Sequence, residues 1–194
     1  MERYSPHMEQ GFPGNLTLTI TYTWNDANEL MIEYNAVSDA DTILNITNHS
    51  YFNIGCGGQA AGDVLGAQVQ IASAKYTPIN EERLPTGEIC DVAGTAMDFR
   101  EFHDIGSRIG EDDANVQTVS GYDHNYILPG NPGEICYAAA VRDPESRRIV
   151  EVFTDMPGVQ LYTAKELVEQ GGKGGITYGN FGGLCFETQQ YPNG

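Results

Sequence analysis

Two residues able to exchange protons near neutral pH sit in polar clusters of this chain, and their surroundings set what they could do. His49 lies within Asn45-Ile46-Thr47-Asn48-His49-Ser50-Tyr51-Phe52-Asn53. An imidazole with an ordinary pKa of about 6.5 suits proton transfer, and strand alternation would put Asn45, Thr47 and His49 on one face. A lone histidine serves equally well as a structural residue, so this cluster alone leaves both roles open. Glu187 lies within Phe186-Glu187-Thr188-Gln189, at the end of an otherwise apolar run. In a strand Glu187 and Gln189 share a side, opposite Leu184 and Phe186. A carboxylate in a half-buried strand is costly unless it is paired or put to use.

Two further stretches carry polar groups of matching kind. In Pro157-Gly158-Val159-Gln160-Leu161-Tyr162, strand parity sets Gln160 and Tyr162 against Val159 and Leu161. Gly121-Tyr122-Asp123-His124-Asn125-Tyr126 sets Asp123 beside His124, an arrangement that a surface turn also carries, because Asp and Asn stabilise turns. Amide, phenol and carboxylate together suit the hydroxyls of a sugar. There is no HExxH, no GxxxxGK[ST] and no GxGxxG opening a helix. Gly171-Gly172-Lys173-Gly174-Gly175 lacks a following helix pattern and reads as a flexible loop. Cys56, Cys90, Cys136 and Cys185 show no CxxC pair and no adjacent histidine pattern, so free thiols in a reducing compartment are expected, with neither a metal site nor a disulfide scaffold.

The elements that must hold these groups are strands. Asn15–Trp24 alternates strictly, with Leu16, Leu18, Ile20, Tyr22 and Trp24 facing one way and four threonines the other. After Asn25-Asp26-Ala27-Asn28, the run Glu29–Val37 places Leu30, Ile32, Tyr34 and Ala36 on one face, and the two runs read as an antiparallel hairpin. Similar short runs occupy 42–48, 64–71, 135–141, 149–154, 159–163 and 183–189, and the one helix-like segment is Phe99–Ile109. The expectation is an all-β antiparallel sandwich forming one domain over 1–194, with functional loops at 72–100 and 103–125.

Charge narrows the partners. With 27 acidic against 10 basic residues and a net charge of −17, the chain repels phosphate backbones and anionic membranes, so neither nucleic acid nor membrane is expected as a partner. The first residues lack an apolar signal core and no apolar run reaches transmembrane length, which predicts a cytoplasmic location.

The same residues resemble aldose 1-epimerases along nearly the whole chain. The resemblance is carried, in order, by GFPGNLTLTITY, NITNHSYFNIG, TPINEERLPTGEI, GTAMDFR, GYDHNYIL, DPESRRIVEVFTDMPGVQLYT and GKGGITYGNFGGLCFETQQYPN. It implies a large antiparallel β-sandwich of the galactose mutarotase type with a sugar cleft on one face. The implied activity is interconversion of the α and β anomers of free hexoses by acid–base ring opening and reclosure, without a cofactor. By the resemblance, Glu187 is the general base at the anomeric hydroxyl, His49 the general acid at the ring oxygen, and Asp123, Gln160 and Tyr162 are sugar ligands. His124 and His103 receive no such role and are left as structural or solvent-facing. Family members run further at both ends, with an upstream Asn-Arg pair and a further His that contact the sugar, and a closing strand or more downstream. A sandwich truncated in this way is expected to recruit a second copy or a complementing fragment through its sheet edges. A non-catalytic carbohydrate-binding remnant or one piece of a split mutarotase is the alternative. A hexose-phosphate epimerase is a third reading, and it needs a cationic clamp for which only Lys75, Lys165, Lys173 and a few Arg are available.

Overall fold

Asn25 closes the first hairpin: its side-chain oxygen accepts hydrogen bonds from the Ala27 and Glu29 amides at 3.0 and 3.1 Å, while Asn28 takes a left-handed turn conformation. In this computed structural model, which describes residues 1–55, 62–131 and 133–193, the hairpin belongs to the first of two units, Met1–Ile46 and Thr47–Gly194. The first unit is an antiparallel sheet of β1 (Glu2–Ser5), β2 (Leu16–Trp24) and β3 (Leu30–Ser38), in that order. Pairing runs without a slip from Leu16 opposite Ser38 to Trp24 opposite Leu30. In β3 the anticipated face is realised, with Ile32, Tyr34 and Ala36 half-buried between exposed neighbours. In β2 the threonines near its start are as covered as the leucines beside them, so burial does not follow the alternation there.

The second unit runs β4 (Gln68–Ile71), β5 (Lys75–Thr77), β6 (Cys90–Asp91), β7 (His103–Asp104), α1 (Ile105–Ile109), α2 (Ala114–Val119), β8 (Asp123–Ile127), β9 (Cys136–Arg142), β10 (Ile149–Thr154), β11 (Gly158–Tyr162) and β12 (Cys185–Gln189). One sheet has the order β10-β9-β4-β7 and the other β12-β11-β8-β5-β6, and every pairing is antiparallel. One hydrophobic cluster joins them, with Val69, Ile71, Ala139 and Val141 from the first sheet and Tyr126, Val159, Leu161 and Phe186 from the second. The all-β antiparallel sandwich is the observed class.

Three local expectations change. Residues 42–48 form no strand, and Asn48 accepts the Ser50 amide on its side-chain oxygen at 3.3 Å, a local hydrogen bond of the kind that competes with strand pairing. Within 99–109 only the second half is helical. The second helix, α2, opens on Asp113, which accepts the Asn115 amide at 3.0 Å and so satisfies an otherwise orphaned donor. Asp123–Ile127 is a strand and not a surface turn, because β5 and β11 pair with it on both sides. Cys90, Cys136 and Cys185 are free thiols, and Cys56 lies outside the described residues. Among the described residues no helix is long and apolar enough to cross a membrane.

Leu161, fully buried in β11, should cost about 2–5 kcal/mol when cut to Ala, since lost apolar transfer and the residual cavity add. The same truncation at the exposed Ile149 should stay within about 0.5 kcal/mol. Urea unfolding midpoints of the two variants check this.

Candidate functional site

Antiparallel registration lays two rows of side chains across β8, β11 and β12. Gln160 stands opposite Asn125 on one side and Glu187 on the other, and Tyr162 stands opposite Asp123 and Cys185. Directly opposed residues face the same way, so these six groups share one face of the sheet, while Tyr126, Leu161 and Phe186 alternate into the core. Gly158 starts β11 without a side chain for a steric reason. A Cβ there would overlap the Asn125 side-chain oxygen and approach Tyr191 at 3.2 Å.

Amides fix the acidic groups. Gln189 donates to the Gln160 side-chain oxygen at 3.1 Å, and Gln160 in turn donates to Asp123 at 2.8 Å. This directional chain holds the Asp123 carboxylate in place. Glu187 is only 9% exposed. Burial raises its proton affinity above the ordinary carboxylate range, the nearby Asp123 charge adds to that, and His49 opposes it.

His49 reaches this face from an irregular segment. Two backbone hydrogen bonds between Phe52 and Leu184, at 2.7 and 2.9 Å, staple that segment to the chain entering β12. The His49 ring then packs against Tyr51 at 5.1 Å between centroids and edge-on to Tyr162 at 5.7 Å. Its Nε2 lies 3.4 Å from Glu187 Oε1, and its Nδ1 lies 3.4 Å from Cys185 Sγ. Beside this pair opens a cleft of about 220 Å³ bounded by His49, Tyr51, Asp123, Tyr162 and Glu187. Its rim carries Arg83, Lys165 and Glu166, and Arg83 is tied to Glu166 at 3.0 Å.

Four of the five expected residues therefore line one cleft. Gln160 lies behind it, with its amide engaged by Asp123 and Gln189. The expectation that Asn45, Thr47 and His49 share a strand face fails because no strand forms there. Tyr51 and Cys185 went unassigned in the sequence, although Tyr51 stands two residues from His49 and Cys185 has the same strand parity as Glu187. The rim residues come from 78–86 and 164–167, and no local pattern marks them. One ligand atom each from His49, Cys185 and Glu187 lie within 4.8 Å of one another, a donor set suited to a cation.

The two unassigned histidines are accounted for. His103 is half-buried, with Nε2 3.3 Å from an Arg108 Nη atom. His124 points into the core, where its Nδ1 accepts the Asp123 amide at 3.2 Å and its Nε2 meets no hydrogen-bond partner among the described residues. Burial lowers its pKa to about 4.

A model of the family described as aldose 1-epimerase matches residues 1–194. The galactose mutarotase of Mus musculus is 41% identical over 192 residues, which cover 98% of this chain and 54% of that protein. That of Homo sapiens is 40% identical over the same shares. The aldose 1-epimerase of Escherichia coli (strain K12) is 35% identical over 185 residues, 95% of this chain and 52% of that one. The crystal structure of galactose 1-epimerase from Lactobacillus acidophilus NCFM superposes with a TM-score of 0.83 at 32% identity, over 98% of this chain and 53% of that one. The chain thus spans about half the length of the curated relatives it matches.

Because the folded-state pKa of His124 lies below the value of the unfolded chain, protons bind the unfolded state first as pH falls. Stability present above about pH 6.5 should fall by roughly 3 kcal/mol as pH approaches about 4. His124→Asn, which keeps an acceptor near the Asp123 amide, should flatten that part of the curve in urea unfolding measured between these pH values.

Proposed function

The chain belongs to the aldose 1-epimerase family, and from that premise we propose that its cleft interconverts the α and β anomers of free hexoses such as galactose and glucose. The observation that carries the reading is a buried carboxylate of raised proton affinity 3.4 Å from an imidazole at the edge of a cleft. A hemiacetal opens when its hydroxyl loses a proton while its ring oxygen gains one, so one base and one acid must reach two neighbouring oxygens.

Glu187 takes the proton of the anomeric hydroxyl. The C1–O5 bond breaks as the carbonyl forms, and His49 delivers its proton to the ring oxygen. After rotation about C1–C2 the steps reverse: His49 recovers the proton from the O5 hydroxyl, O5 attacks C1, and Glu187 returns its proton to O1. Both groups end as they began, and the chemistry transfers no hydride, electron or phosphate, so it calls for no cofactor. Burial makes Glu187 a stronger base than an exposed carboxylate, which favours proton abstraction. Asp123, fixed by Gln160, accepts a sugar hydroxyl, and Tyr162 offers its phenol beside it. Gln160 contributes through Asp123, and Tyr51 and Tyr162 hold the His49 ring on two sides.

Polarimetry of freshly dissolved α-D-galactose tests the proposal. The chain should accelerate relaxation, and Glu187→Gln and His49→Ala should each lose about 10²–10⁴-fold in rate while keeping the β-rich far-ultraviolet spectrum. A folded chain that relaxes the sugar no faster than its Glu187→Gln variant sinks the reading. Asp123→Asn should chiefly raise KM.

A further inference from the structure

Asn125 and Cys185 are the groups on the polar rows that the acid–base chemistry leaves unused, and Cys185 is placed for something else. We propose that His49, Cys185 and Glu187 form a binding site for a divalent cation of the zinc class, held at the base of the cleft. The coordination rests on geometry alone, whereas its competition with sugar rests on the reading of the cleft as a sugar site.

Cys185 and Glu187 are two residues apart on β12, so strand parity alone puts sulfur and carboxylate on one face, and the Phe52–Leu184 staple brings the imidazole over both. One ligand atom from each lies within 4.8 Å of the other two, and the His49–Glu187 separation is 3.4 Å. A tetrahedral zinc site with bonds of about 2.0–2.3 Å places neighbouring ligand atoms roughly 3.3–3.7 Å apart. The nitrogen–oxygen spacing already fits, and the His49 side chain, 51% exposed, has room to turn one nitrogen toward the sulfur and the carboxylate together.

The donor set selects the metal. Magnesium and calcium take oxygen ligands, while nitrogen, sulfur and oxygen together suit zinc and its borderline-soft neighbours. Three protein ligands leave a fourth position for water, and two of them, His49 and Glu187, line the cleft that would supply it. Asp123 shares the sheet face with these groups and lines the same cleft, adding negative charge beside the cation. As the sulfur–metal bond forms, the thiol proton passes to solvent, with no change of oxidation state. The bound ion removes both proton-transfer groups from use and blocks the anomeric centre, so metal and sugar exclude each other.

Cobalt(II) is the probe, because its bond to a thiolate gives a charge-transfer absorption in the near ultraviolet. Titration of the purified chain should give a band that saturates at one equivalent, that zinc displaces and that galactose diminishes. Cys185→Ser should abolish the band, and His49→Ala should weaken binding by about 100-fold or more, beyond what loss of a supporting residue costs. Since His49 is half exposed, its variant decides the matter even where Cys185→Ser does not fold. No band in a chain that accelerates mutarotation removes the metal site and leaves the sugar reading intact. A band that survives both substitutions places the metal on another cysteine and also overturns the proposal. A saturating band lost in both variants, in a chain without mutarotase activity, upholds the coordination and refutes the sugar reading alone.

Discussion

The registration of β11 between β8 and β12 is the constraint on which the rest depends. It sets Gln160 opposite both Asn125 and Glu187, and Tyr162 opposite both Asp123 and Cys185. Side chains alternate with a period of two, so a slip of β11 by one residue would send Gln160 and Tyr162 into the core and bring Val159 and Leu161 out. Burial of each such apolar side chain is worth about 1.5–3 kcal/mol, and the Gln160 amide buried in their place would lose its partners Asp123 and Gln189. The hydrophobic face therefore fixes the position of the polar one. The site is precise because the core beneath it tolerates a single register.

Within that frame, electrostatics divides the work between acids of the same kind. Asp123 and Glu187 are both carboxylates on one face, yet Asp123 receives the Gln160 amide while burial and the Asp123 charge raise the proton affinity of Glu187. One is suited to accept a hydrogen bond from a neutral hydroxyl, the other to take a proton. The same sheet shows the converse on its far side, where His124 is buried and kept neutral by desolvation. An imidazole one residue from Asp123 thus contributes no charge to the cleft, and the acid must come from elsewhere in the chain.

How much of this was legible follows from how far apart the partners lie in sequence. Strand parity placed Glu187 with Gln189 and Gln160 with Tyr162, because alternation is a local property that sheet formation preserves. The hairpin of β2 and β3 was legible for the same reason, with its turn chemistry between the strands. Asp123 and His124 read locally as a turn, since nothing in six residues reveals strands pairing on both sides. The position of His49 depends on a staple between Phe52 and Leu184, 132 residues apart, and the segment that carries it has no period to detect. The polar cluster marks His49 as a candidate with both roles open, and the family resemblance is what implies its role as acid. Arg83 falls within the loop expected to be functional at 72–100 and Lys165 is counted among the available cations, but their place at the rim beside Glu166 was not legible, because loop paths bring them there.

In the proposed mechanism the base stands on a strand and the acid on an irregular segment, an arrangement that suits a reaction running in both directions. Glu187 cannot move without disturbing the core packed behind β12, so in that mechanism the anomeric oxygen comes to it. His49 is held by the staple that follows it, by the rings on either side and by Cys185 at its Nδ1, and as the structure stands its Nε2 lies against Glu187. On the proposed reading, a sugar hydroxyl entering between them parts that contact, and the half-exposed ring is the group free to give way. Under the two proposals, the small displacement that admits an anomeric hydroxyl also admits a cation, so sugar binding has to compete with closure of the nitrogen, sulfur and oxygen groups on a metal.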